Sequence, residues 1–132
     1  MGHPFPLFSS DVGVVGLGDM KYRKMRKTDL NVSEIGFGMW TVSTGWWGKF
    51  TEGEAISMLH KAFDLGINLY DAADTYGNGY SEELIAKAFP TQRDNIVIAT
   101  KVGYDFYNHG ENRKGQREIP QDFSPAFVRD GR

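Results

Sequence analysis

The chain has 132 residues, enough for one ordinary domain, and its 40% hydrophobic and 14% aromatic content argues against wholesale disorder. Its 15 basic and 17 acidic residues are interspersed and leave a net charge of −2, which speaks against a nucleic-acid footprint or an anionic-membrane patch. The absence of cysteine excludes disulfides and thiolate metal sites, no apolar run approaches a membrane span, and Met1–Pro6 lacks the basic start and apolar centre of a secretory signal. A soluble, cytoplasmic protein is the expectation.

Residues 1–19 hold two prolines, four glycines and no lysine or arginine, and read as a leader or disordered tail. Gly13–Gly18 has the spacing G-x-x-G-x-G, not G-x-G-x-x-G, and no apolar helix follows, so it is not read as a dinucleotide loop. Around Lys27-Thr28-Asp29, residues 21–34 alternate charged and apolar side chains, which predicts a small β-hairpin. Ile35–Trp40 is an apolar run with two glycines and predicts a strand where backbone or ligand comes close.

Thr51-Glu52-Gly53-Glu54 has the form of a capping box, opening a helix whose buried face carries Ala55, Ile56, Leu59, Ala62 and Phe63. Gly66 suits the left-handed stop position, and Ile67–Asp71 is the next strand. Ser81 is read as the cap of a second helix, with Glu82 and Glu83 on its dipole, a stripe of Leu84, Ile85, Ala88 and Phe89, and Pro90 past its end. Ile96–Lys101 is apolar without alternation, as for a strand covered on both faces. A polar and aromatic loop spans 103–123, and Ser124-Pro125 opens another helix.

A hairpin followed by β, α, β, α, β and the start of an α element implies an α/β protein with a parallel sheet, either doubly wound or a (β/α)₈ barrel. In both, ligands sit at the carboxyl ends of strands. Trp40, Asp71 and Lys101 fall at such ends, with Tyr76 five residues past Asp71. A carboxylate, a phenol and an ammonium gathered there would form a proton-donating site. Positive charge favours a phenolate, and a phenol so placed can protonate a carbonyl oxygen while a cofactor delivers hydride. Trp40, Trp46, Trp47 and Tyr76 could wall an apolar pocket. Singly, each residue also has a structural explanation: a turn cap, a packing aromatic, a solvated strand-end lysine. His60 reads as a surface or helix-packing residue, and His109 as solvated. No spacing of ligating residues suggests a metal.

Together with Met20–Met25, Val32–Trp40 and Ile96–Lys101, the segment Gly66–Glu82, which reads GINLYDAADTYGNGYSE, resembles the aldo-keto reductases. The look is that of the bacterial branch related to general-stress oxidoreductases and potassium-channel β subunits, and it covers roughly residues 20–128. The resemblance implies a (β/α)₈ TIM barrel closed at its base by the hairpin. It also implies NADPH-dependent reduction of aldehydes and ketones, small-molecule carbonyl substrates, through an Asp-Tyr-Lys-His tetrad. By matching position, Asp71 resembles the tetrad aspartate, Tyr76 the proton donor and Lys101 the lysine that activates it. Gly38, Met39, Trp40 and Asp71 would meet the cofactor, and Trp40, Trp47 and Tyr76 the substrate.

The family histidine ends the fourth strand, and this sequence has no counterpart to it. A whole barrel takes about 250 residues, so residues 20–132 are expected to be its N-terminal portion, truncated before strand four and inactive alone. The alternatives are a non-catalytic regulatory or binding subunit on the same fold, or a nonfunctional gene fragment. The Ile96 strand would be left as an exposed edge, open to self-association.

Overall fold

The structure, a computed structural model, describes residues 20–109 and 119–130; the expectations for residues 1–19 and for the His109 side chain lie outside what it describes. Strands β1 (Tyr22–Lys24) and β2 (Asn31–Ser33) form the antiparallel hairpin, with Tyr22 opposite Ser33. Three further strands, β3 (Gly36–Gly38), β4 (Leu69–Asp71) and β5 (Val97–Ala99), make a parallel sheet in the order β3-β4-β5. Between them run helices α1 (Trp40–Ser43), α2 (Glu52–Asp64) and α3 (Tyr80–Ala88), and α4 (Phe106–His109) and α5 (Pro125–Asp130) follow β5.

Local sequence accounts for much of this. Thr51 and Glu54 make the reciprocal capping box: the Glu54 amide donates to the Thr51 hydroxyl, and the Thr51 amide to the Glu54 carboxylate. Gly66, at φ +90°, ends the α2 turn, and a Cβ there would come within 2.9 Å of the Tyr22 hydroxyl. The Phe127 amide donates to the Ser124 hydroxyl at the start of α5, as a cap requires.

The sheet has two unequal faces. On one, Phe37, Tyr70 and Ile98 stand in a row across β3, β4 and β5 and pack under α2 and α3 with Leu59, Leu84, Ile85 and Phe89. Tyr70 is fully buried; its ring lies 5.0 Å from Phe89, and its hydroxyl donates to the Leu59 and Ile67 carbonyls. The opposite face carries Gly36, Leu69 and Val97 in one row and Gly38, Asp71 and Ala99 in the next. Among the described residues no element lies over it.

The expectation that β5 is covered on both faces therefore needs correcting. Val97 is only part-buried and Ala99 is exposed, because helices shield one side alone. Two further boundaries differ from the sequence reading. The first parallel strand stops at Gly38, and Trp40 begins a short helix whose terminal Ser43 hydroxyl donates back to the Met39 carbonyl. Ser81 is not a cap. Gly79, at φ +94°, holds that position, while Ser81 is fully buried and donates its hydroxyl to the Ala73 carbonyl.

The hairpin sits at the amino ends of the parallel strands. Asn68 docks it: its side-chain carbonyl accepts from the Ser33 amide at 2.8 Å, its backbone amide donates to the Ser33 hydroxyl at 3.1 Å, and its side-chain nitrogen donates to the Asn31 carbonyl. The opposite, carboxyl ends of the strands are thereby left open.

Burial raises the pKa of the Tyr70 phenol well above its ordinary 10, and the nearby Asp64 charge adds to it. A folded value above the unfolded one means full stability below pH 10, lost as pH rises beyond it while the unfolded phenol ionises first. Urea unfolding followed from about pH 8 to 11 should show wild type losing up to roughly 1.4 kcal/mol per pH unit more than Tyr70→Phe above pH 10. Parallel curves would show that Tyr70 does not carry this dependence.

Candidate active site

The parallel register places the functional side chains before any of them makes a contact. Gly38, Asp71 and Ala99 are direct neighbours across the three strands, and Lys101 lies two residues past Ala99. The ladder runs on one residue past the strands: the Met39 amide donates to the Asp71 carbonyl at 2.9 Å and the Ala72 amide to the Ala99 carbonyl at 2.7 Å. The strand exits are thus tied by backbone bonds.

Lys101 gathers the site. Its Nζ donates to Asp71 Oδ1 at 2.9 Å and to the Ala72 carbonyl at 2.7 Å, and it stands 4.8 Å from the centroid of the Tyr76 ring. The side chains of Lys101 and Asp71 are each about half exposed, at 49% and 51%. A pair that exposed contributes only about 0–1 kcal/mol, so its importance lies in placement more than stability. Partial burial pulls the Lys101 pKa down, but hydrogen bonds to Asp71 and Tyr76 outweigh it and hold the value above the ordinary 10.5. The ammonium therefore stays charged through the neutral range.

Tyr76 is fixed from the other side. Trp40 meets its ring edge-on at 5.0 Å with the planes at 90°, and Trp46 packs on Trp40 at 5.7 Å. Trp46 and Trp47 are both exposed, at 70% and 75%, and it is the Trp46 ring that reaches Trp40. Met39, expected at a cofactor, is fully buried in the core with its amide given to Asp71. Its side chain supports the strand end from below.

The sequence reading missed Gly77. It has φ +65°, and a Cβ there would lie 2.5 Å from the Ser43 carbonyl oxygen. The run of glycines after Tyr76 was the available signal, but which one is pressed against α1 depends on how α1 and α3 meet. The sequence marks Ser81 and Glu82 as helix-start residues, yet Ser81 holds the β4 exit at Ala73, and Glu82 Oε1 accepts from the Thr100 hydroxyl at 2.6 Å. His60 lies far from this group, on the helical layer, with Nε2 2.7 Å from the Ala88 carbonyl and its ring against Phe89.

The profile of the aldo/keto reductase family matches residues 34–130. The aldo-keto reductase YhdN of Bacillus subtilis is 36% identical over 100 residues, which are 74% of this chain and 30% of that protein. A probable voltage-gated potassium channel subunit beta of Arabidopsis thaliana is 36% identical over 99 residues, 73% of this chain and 29% of that one. The solved structure of aldo-keto reductase AKR11C1 from Bacillus halodurans, in its holo form, superposes with a TM-score of 0.69 at 34% identity, covering 84% of this chain and 33% of that one. The open sheet is accordingly part of a (β/α)₈ barrel, and this chain spans about 30% of the length of the curated relatives it matches.

Gly77→Ala combines a left-handed backbone with a steric clash and should cost about 2–4 kcal/mol. Gly79→Ala, at φ +94° with nothing within 4 Å of a Cβ, should cost only about 1–2 kcal/mol. Urea unfolding of both variants checks the difference, and equal losses would remove the contact with Ser43 from the account.

Proposed function

Since the chain belongs to the aldo/keto reductase family, we propose that its residues supply the carboxylate, phenol and ammonium of a cytoplasmic, NADPH-dependent reduction of aldehydes and ketones to alcohols. The observation that carries this reading is the convergence on Lys101 Nζ of Asp71, 2.9 Å away, and the Tyr76 ring, 4.8 Å away, at one strand-end rim.

The rim is open beside Gly38. A Cβ built on Gly38 would meet no atom within 4 Å, with Asp71 beside it in register and Trp40 two residues on. Gly38, Trp40 and Asp71 would hold the nicotinamide end of the cofactor, which when bound supplies hydride to the carbonyl carbon. In this reading the Tyr76 phenol donates its proton to the carbonyl oxygen. The Lys101 ammonium stabilises the phenolate left behind, and Asp71 holds that ammonium in place. Trp40, Trp47 and Tyr76 would present apolar surface to the carbonyl compound.

The same reading makes the chain inactive alone. Asp71, Tyr76 and Lys101 would supply three members of the family's tetrad, whereas the described His60 is engaged on the helical layer. Among the described residues the sheet is open at β5. Its β5 edge and bare inner face are proposed to associate with a second copy. The sedimentation coefficient should rise with protein concentration, and less so for Val97→Lys, which charges that face; a constant coefficient would count against association.

Activity is best tested by graft. Residues 20–130 put in place of the matching share of the Bacillus subtilis relative should restore consumption of NADPH with 4-nitrobenzaldehyde, with NADH run in parallel. Tyr76→Phe in the graft should lower turnover by about 10²–10⁴-fold, the usual worth of a positioned general acid. A folded graft whose turnover ignores Tyr76 would overturn the proposal, and full turnover by this chain alone would overturn the inactivity. A non-catalytic subunit is the second reading, favoured by the similarity to the Arabidopsis channel subunit. It expects the graft to bind NADPH without Tyr76-dependent turnover.

A further inference from the structure

The first turn of α3 lies against both strand exits that carry the charged pair. Ser81, fully buried, donates to the Ala73 carbonyl at 2.9 Å and so holds the backbone just after Asp71. Its neighbour Glu82 accepts from the Thr100 hydroxyl at 2.6 Å, on the residue directly before Lys101. Glu82 projects from a helix and Thr100 from the end of β5, so the bond joins two elements and closes a loop of chain 18 residues apart in sequence. Beyond Thr100 the Lys101 side chain crosses back to Asp71 and the Ala72 carbonyl.

We propose that Glu82 and Thr100 are positioning residues: their hydrogen bond fixes the backbone leaving β5 so that Lys101 reaches Asp71 and Tyr76. The inference rests on the reductase reading for its functional meaning, but its geometry and its test do not need turnover. β5 is paired on one side only among the described residues, and its ladder stops at Ala99. Without a further anchor the next residues would sample several backbone states, and a lysine has the most rotamer freedom to lose on being placed. A short hydroxyl-to-carboxylate bond, stronger than a neutral one, removes the backbone part of that freedom. The Glu82 carboxylate also serves a second purpose there, since negative charge is favoured in the first turn of a helix. The titratable groups on the elements around Lys101 are Asp71, Asp74 and Tyr76 at and after the β4 exit and Tyr80, Glu82 and Glu83 at the start of α3, and Glu82 acts on Lys101 through Thr100.

The test reads the freedom of the Lys101 amine in the whole chain, by competition labelling with a lysine-acylating reagent and peptide mass spectrometry. Lys61 and Lys87, at the far ends of α2 and α3, serve as internal references. Glu82→Ala and Thr100→Val should each speed acylation of Lys101 by roughly three- to tenfold relative to the references, since the free-amine fraction rises tenfold for each pH unit by which its titration midpoint falls. Glu82→Gln and Thr100→Ser, which keep an acceptor and a donor, should restore the wild-type rate. Unchanged Lys101 labelling in Glu82→Ala and Thr100→Val would overturn the proposal. An equal rise at Lys61 and Lys87 would overturn it too, by reducing the bond to a general structural role. If the labelling shifts as expected while the graft shows no Tyr76-dependent turnover, the reductase reading fails and the clamp stands. The reverse pattern separates them in the other direction.

Discussion

The in-register alignment of Gly38, Asp71 and Ala99 across three parallel strands is the constraint on which the rest of this rim depends. Parallel strands cannot be joined by tight turns, so each must be followed by a crossover, and the crossovers here put α2 and α3 on one face. The carboxyl ends then share an edge that no crossover covers. Side chains from residues 71, 76 and 101 meet there because the strands end at the same level, even though Asp71 and Lys101 are 30 residues apart. A shift of one strand by a single residue would send Asp71 to the helical face and Tyr70 to the open one. Tyr70 resists that shift, fully buried against Phe89 and Leu59.

The two ends of the sheet are built for different tasks. At the amino end, Asn68 spends its side chain on Ser33 and Asn31, and Tyr22 donates to the Gly66 carbonyl, so polar groups are consumed in fastening the hairpin. At the carboxyl end, polar groups are held ready. The Lys101 ammonium remains half exposed and charged, and the Trp40–Tyr76 edge-to-face contact limits where the phenol can go. Close approach of α1 to the start of α3 is possible because Gly77 has no Cβ, which brings the Trp40 helix alongside the Tyr76 loop. Binding or proton transfer at such a rim would be governed by how well those few groups are held, since an exposed ion pair has little energy of its own with which to hold itself.

Much of the architecture could be read in the sequence, for a reason that holds element by element. The Thr51–Glu54 box, the stop at Gly66, the cap at Ser124 and the stripe of Leu84, Ile85, Ala88 and Phe89 all depend on residues within five positions of one another. Such short-range terms act the same way in any fold. The exits at Asp71 and Lys101 could be read too, because an apolar run that ends in a charge has few other places to stop.

What the sequence determined by itself was therefore the order of elements, their caps, and which charged and aromatic residues arrive at strand ends. Tertiary structure alone decided that Ser81 binds Ala73 instead of capping α3, that Glu82 reaches Thr100, that Trp46 and not Trp47 lies on Trp40, that Met39 turns into the core, and that one face of β5 stays bare. These outcomes follow from how strands register and helices dock, so they join residues far apart along the chain. Whether a face is covered depends on what else is packed against it, and no local pattern carries that information.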